Sequence, residues 1–218
     1  MGGLFVSFEG PEGAGKSTQI GLLAERLEAA HHAVCRLREP GGTALGDRLR
    51  GLLLHAGDAW IDDRAEALLY AAARAQLVAE AIRPALARGA VVLCDRYADS
   101  TLAYQGYGRG LPIGGLAEVL RFAVGDVWPD LTILLDLPVE VGLARKWAAA
   151  GTPAGEWNRY EAEALTFHER VRAGYRRLAE QEPTRWLVLD AREPVAALQA
   201  RIAAAIWPRL GPPRPAGG

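Results

Sequence analysis

Gly10-Pro-Glu-Gly-Ala-Gly-Lys-Ser-Thr18 is the stretch on which the reading of this chain turns. It follows the apolar run Leu4-Phe-Val-Ser-Phe8 and opens the helical pattern Gln19 to Ala30, so it reads as a phosphate-binding loop between a strand and a helix. Gly10, Gly13 and Gly15 admit backbone conformations closed to other residues. The loop through Pro11, Glu12 and Ala14 can therefore turn successive N–H groups towards one anion, and the helix starting near Lys16 adds its positive end. Lys16 is spaced to reach a nucleotide's outer phosphates and Ser17 to hold Mg²⁺, and Thr18 follows as a further ATP-binding candidate. The alternative is a chance glycine cluster in a turn; the Lys-Ser pair and both flanks argue against it.

Outward from the loop, the pattern alternates strands and helices. Strands are expected at Leu4–Glu9, Val34–Leu37, Ala90–Cys94, Leu131–Leu135 and Trp186–Leu189, the third an unbroken apolar run suited to burial on both faces. Helices are expected over 16–30, over 62–89 with a cap at Asp62 or Asp63 and a kink or break at Pro84, and over 116–124. Two more follow, one marked by Phe167, Val171, Gly174 and Leu178, the other by Val195, Leu198, Ile202 and Ile206. Ser100 to Gln105 reads as helical and Gly106 to Pro112 as a glycine-rich loop. Five strands separated by helices imply an α/β fold, a parallel sheet with helices on both faces.

The 218 residues, 50% hydrophobic and 23% charged, suit a single domain over 1–210 with a short lid at about 145–160 and a disordered Pro/Gly-rich tail at 211–218. A net charge of −1 argues against a sequence-independent nucleic-acid binder. Lysine stands only at 16 and 146, so arginines must carry any phosphate binding. Cys35 and Cys94 fall in apolar runs without CxxC spacing and read as core thiols in a reducing compartment. With no signal peptide and no 18-residue apolar run, the chain is expected in the cytoplasm, away from membranes.

Candidate chemistry gathers where open α/β sheets bind ligands, beyond the carboxyl ends of strands. Arg38-Glu-Pro-Gly-Gly-Thr43 follows the second strand and Asp95-Arg-Tyr97 the third. Asp95 can support the Mg²⁺ shell, and Arg96 can grip a second phosphate, with a structural Asp–Arg pair as the alternative. Tyr70 and Arg74 are four apart and share a helix face; the bland readings are a half-buried core aromatic and a solvated charge. Arg96 with Arg74 and Arg50 implies an acceptor that is itself phosphorylated, and a phosphate oxygen is already ionised near neutral pH and needs no general base. A guanine-reading N-K-x-D element is missing: the single asparagine, Asn158, precedes Arg159.

Phe5 to Thr18, Arg38 to Thr43, Tyr70-Ala-Ala-Ala-Arg74, Asp95-Arg-Tyr97 with Ser100 and Ala103-Tyr-Gln-Gly106, Leu135-Asp-Leu-Pro138 and Arg159-Tyr-Glu161 together resemble the bacterial type of the thymidylate kinase family. The likeness runs from Leu4 to about Asp190. It implies a P-loop kinase fold with strand order 2-3-1-4-5, a homodimer, and phosphorylation of dTMP to dTDP by Mg-ATP. By position, Tyr70 resembles the residue that stacks on thymine and Arg74 the one that contacts base edge and acceptor phosphate. Thr101 would bond the ring, Gln105 would lie near base and sugar, and Arg38 to Pro40 would line the pocket with Ser100. Glu12 resembles the loop carboxylate that receives the 3′-hydroxyl, and Tyr104 the tyrosine that crowds the sugar 2′ position. Arg159 resembles the lid's catalytic arginine, and Arg145 would stack on adenine. The lid departs from the family pattern: the stretch before Glu156, usually basic, reads Thr152-Pro-Ala-Gly155 and is longer. Other readings are another P-loop nucleotide or deoxynucleoside kinase, and a non-catalytic module that senses ATP.

Overall fold

The computed structural model describes residues 2–54, 60–149, 160 and 163–211. Its strands are β1 (Leu4–Glu9), β2 (Val34–Arg38), β3 (Val91–Asp95), β4 (Leu131–Asp136) and β5 (Trp186–Asp190). All pair in parallel in the order β2-β3-β1-β4-β5, as the resemblance implied. The helices are α1 (Lys16–Ala29), α2 (Ala44–Leu54), α3 (Asp63–Leu77), α4 (Arg83–Ala87), α5 (Ala98–Thr101), α6 (Ile113–Val124), α7 (Val139–Ala149), α8 (Leu165–Gln181) and α9 (Val195–Ile206).

β1 is buried throughout because it is the middle strand and both its faces are covered. Side chains alternate across a strand, so Leu4, Val6 and Phe8 join Leu23 and Leu27 of α1 and Ile202 of α9, while Phe5 joins Leu77 of α3, Leu120 of α6 and Val171 of α8. Parallel pairing brings the carboxyl ends of all five strands to one edge of the sheet. The loops after β1, β2 and β3 meet there.

One local expectation takes an unexpected form and two are corrected. The break expected at Pro84 takes the form of a π-helical stretch just before it: over Val78–Ile82 the α-helical ladder is interrupted, and the Arg83 N–H bonds to the Val78 carbonyl five residues back. The widened turn makes room for a ring without an N–H, and the chain stays helical from Asp63 to Ala87. The expected loop at 106–112 begins as helix, since Leu102–Gly108 continue α5 in π geometry. A Cβ at Gly108 would stand 2.7 Å from the Phe167 ring, and one at Gly174 2.6 Å from Tyr107, so these glycines permit the close crossing of this segment with α8. Arg145 and Lys146, read as the start of a loop-like lid, lie on α7, which follows Pro138. Lid residues 150–159 and tail residues 212–218 lie outside the described residues. Among the described residues, no helix is long and apolar enough to cross a membrane.

Candidate active site

At the carboxyl edge of the sheet lies a cleft of about 630 Å³. Its floor is the loop from Glu12 to Thr18; Arg38, Glu39, Pro40 and Arg50 form one wall, and Tyr70 and Arg74 of α3 another. Asp95, Arg96, Ser100, Thr101, Tyr104 and Gln105 supply a third, and Arg145, Lys146 and Tyr160 the rim. The cleft thus gathers every sequence candidate among the described residues except Gly10 and Pro11, whose carbonyls instead accept bonds from the Lys16 ammonium at 3.2 and 3.1 Å. Arg159 lies outside the described residues.

The glycines are required by contact as well as conformation. Gly10 has φ 137° and faces the Leu135 carbonyl; Gly13 has φ 70° and faces Gly142 of α7, leaving no space for a Cβ at either. Lys16 is buried, and burial lowers its pKa. The Ser17 hydroxyl, on the first turn of α1, donates to Asp95 Oδ2 at 2.8 Å across the β1–β3 junction. One hydroxyl beside one carboxylate, with no cluster of three or more His, Cys, Asp or Glu among the described residues, fits a hard cation that takes its other ligands from phosphates and water.

Arg96 holds the site together. Its φ of 70° is left-handed, a backbone state that costs a non-glycine residue about 1–3 kcal/mol. That turn sends the guanidinium back to the loop, where Nη1 donates to the Gly10 carbonyl (3.1 Å) and Tyr175 Oη (3.0 Å), and Nη2 to Glu12 Oε1 (2.5 Å) and Tyr104 Oη (3.0 Å). The group also lies 4.9 Å from the centre of the Tyr104 ring. Burial works to raise the Glu12 pKa, but Arg96, Lys16 and Lys146 outweigh it and hold the carboxyl at about 2. Glu12 is therefore an acceptor at neutral pH.

Arg74 is not a solvated charge but is 1% exposed. Nε donates to Glu39 Oε2 (2.7 Å), Nη1 to Thr101 Oγ1 (2.9 Å) and Nη2 to the Tyr97 carbonyl (3.0 Å). One turn earlier on α3, half-buried Tyr70 donates to Tyr160 Oη at 3.0 Å. The Gln105 amide donates to Glu66 Oε1 (2.6 Å), Arg50 to the Pro40 carbonyl (3.1 Å) after a cis Glu39–Pro40 bond, and Arg145 to the Ala191 carbonyl (3.1 Å). The pairs Ser100–Thr101 and Tyr104–Gln105, four residues apart on a continuous helical segment, share the cleft face.

Sequence reasoning missed Glu9, Tyr175, Tyr160 and the pairing role of Glu39. Glu9 was legible as a charge closing an apolar strand, and Tyr175 as a polar-tipped residue on the inner stripe of α8, between Val171 and Leu178. Glu9 is fully buried; it accepts from the Tyr97 N–H (2.7 Å), the Ser100 hydroxyl (2.6 Å) and the Tyr175 hydroxyl (3.0 Å). Burial, reinforced by the charge of Asp99, raises its pKa from 4.5 to about 7. The folded chain then binds more protons than the unfolded chain between those values, so Glu9's contribution to stability is present below pH 4.5 and is lost as pH rises through 7. In urea unfolding of wild type and Glu9→Gln, the wild type is expected to lose stability relative to the variant between pH 5 and pH 8. An equal difference at both pH values would refute this.

A glycine-rich loop of the phosphate-binding pattern that shares its Glu12–Arg96 wall with a second pocket built from an aromatic ring and arginines is the arrangement of a P-loop kinase of nucleoside monophosphates. The family model for thymidylate kinase matches residues 8–202. The chain is 57% identical over 203 residues to a thymidylate kinase of Thermomicrobium roseum (93% of this chain, 92% of the relative) and 56% over 211 residues to one of Solidesulfovibrio magneticus (95% and 99%). The crystal structure of thymidylate kinase from Ehrlichia chaffeensis superposes with a TM-score of 0.75 at 31% identity, covering 95% of this chain and 99% of that one. The chain belongs to the thymidylate kinase family.

Proposed function

We propose that this chain transfers the γ-phosphoryl group of ATP to the phosphate of dTMP, giving dTDP and ADP on the route to dTTP. The observation that carries the reading is the wall shared by the phosphate loop and the Tyr70–Arg74 pocket, formed by Glu12 and Arg96 at 2.5 Å. An ionised oxygen of the dTMP phosphate attacks the γ-phosphorus in line; the bond from that phosphorus to the ADP oxygen breaks, and no proton need be removed. Catalysis then rests on positioning and charge neutralisation, and Lys16 on the donor side with Arg96 and Arg50 on the acceptor side supply both. Ser17 and Asp95 would hold Mg²⁺, which when bound neutralises phosphate charge.

In this reading thymine stacks on Tyr70, with Arg74, Thr101 and Gln105 at its edge and Arg38 and Pro40 along the pocket; Ser100 lies behind Arg96. Glu12 receives the 3′-hydroxyl, Tyr104 crowds the 2′ position, and Arg145 lies against adenine. Arg159 is assigned as the lid arginine. Arg159→Ala is expected to lower kcat about a hundredfold; activity within threefold of wild type would transfer the role to Arg145 or Lys146.

The chain is assigned one kinase domain over 1–210, a cytoplasmic setting and a homodimeric state. Exposed Leu52, Leu68 and Phe122, on α2, α3 and α6, supply apolar surface that a dimer would cover. ADP release measured with a panel of nucleoside monophosphates and deoxynucleosides tests the function. Sustained turnover with dTMP above all others is expected; ATP hydrolysis independent of dTMP, or preference for an unphosphorylated nucleoside, would overturn it.

A further inference from the structure

Against Arg96, where β1 runs into the phosphate loop, Glu9, Ser100 and Tyr175 form a closed triangle of oxygens. Ser100 Oγ lies 2.6 Å from Glu9 Oε2, Tyr175 Oη 3.0 Å from the same oxygen, and the two hydroxyls 2.7 Å from each other. All three side chains are buried, and they come from β1, α5 and α8. Arg96 Nη1 points at both hydroxyls, 3.0 Å from Tyr175 Oη and 3.4 Å from Ser100 Oγ.

With Glu9 ionised, counting protons fixes where the lone pairs face, whichever hydroxyl donates in the Ser100–Tyr175 contact. A guanidinium donates only, a carboxylate accepts only, and each hydroxyl has one proton. Both hydroxyl protons are drawn towards the carboxylate, directly or through the neighbouring hydroxyl, so the lone pairs left over face Arg96. The other carboxylate oxygen is committed as well, since Oε1 accepts the Tyr97 N–H at 2.7 Å. An amide in place of this carboxylate fails in either orientation. With its NH₂ towards the hydroxyls it forces a hydroxyl proton round to face the guanidinium; with its NH₂ reversed it meets the Tyr97 N–H donor to donor.

We propose that Glu9 and Tyr175 are positioning residues for the phosphoryl-transfer reaction: they orient a hydroxyl bracket whose lone pairs hold the Arg96 guanidinium against the acceptor phosphate. The two do not touch substrate; they act through Arg96. The inference also accounts for Ser100, whose hydroxyl is spent on the bracket, and for the tyrosine that α8 buries beneath the cleft. It rests on the assignment of Arg96 to the dTMP phosphate.

The experiment compares Tyr175→Phe, Glu9→Gln and their double variant with wild type in steady-state kinetics, with Arg96→Ala as reference and thermal unfolding measured on each. Each single variant is expected to lose about tenfold or more in kcat/KM for dTMP, with KM for ATP within about twofold of wild type. The double variant is expected to lose no more than the worse single variant, because both act on one bracket. Tyr175→Phe keeps the ring in place and carries the test should Glu9→Gln fail to fold. Unchanged kcat/KM for dTMP in Tyr175→Phe, equal losses on the ATP and dTMP sides, or additive losses in the double variant would each overturn the proposal. If Arg96→Ala itself retains wild-type kinetics, the assignment of Arg96 fails instead.

Discussion

Arg96→Ala is expected to lower kcat/KM for dTMP about a thousandfold while KM for ATP changes less than about threefold. The guanidinium touches Glu12, Tyr104, Tyr175 and the Gly10 carbonyl at once, so its removal takes positive charge from the acceptor pocket and lets the shared wall relax. Alanine also inherits the left-handed backbone at φ 70° with no contact to offset its strain. Arg96→Gly separates the two effects. It is expected to be at least as stable as Arg96→Ala and just as inactive, and Arg96→Lys is expected to rescue little because one ammonium cannot span Glu12 and Tyr175 together. Steady-state kinetics with each substrate varied in turn decides the matter: a loss confined to the ATP side would sink the assignment.

Arg74→Ala is expected to fail in two ways. It leaves the Glu39 carboxylate, 3% exposed, without its cation, and breaking a buried pair from one side costs about 3–5 kcal/mol. It also strips the α3 face of the cation beside Tyr70, so dTMP binding and turnover fall together while ATP binding persists. The double variant Arg74→Met with Glu39→Gln removes the stranded charge and is expected to recover most of the stability and none of the turnover. Urea unfolding and kinetics on the two proteins test this; wild-type stability in Arg74→Ala, or wild-type kcat/KM for dTMP in the double variant, would refute it.

Much of the site was legible because its signals are local. Tyr70 and Arg74 share a face by helical spacing alone, and Asp95-Arg96 sits at a strand's carboxyl end by position alone. What each side chain binds was another matter. Arg74 takes its carboxylate from 35 residues away and Glu9 its hydroxyls from 91 and 166, separations that no periodicity reports. The continuation of the α5 helix through Gly106–Gly108 was hidden for the same reason, since its glycines look like loop residues until α8 is packed across them at Phe167 and Gly174.

The strand–loop–helix at Gly10–Thr18, the alternation that makes the sheet parallel, and the family to which the chain belongs are all written in the order of residues. Those follow from glycine's freedom, side-chain periodicity and motif spacing, which act within a few residues. That Arg96 turns left-handed into the loop, that Arg74 is buried against Glu39, and that Glu9 orients two hydroxyls beneath the cleft emerge only from packing. Desolvation and the choice of a charged partner depend on every element packed round a group, and those elements meet only when the chain is folded.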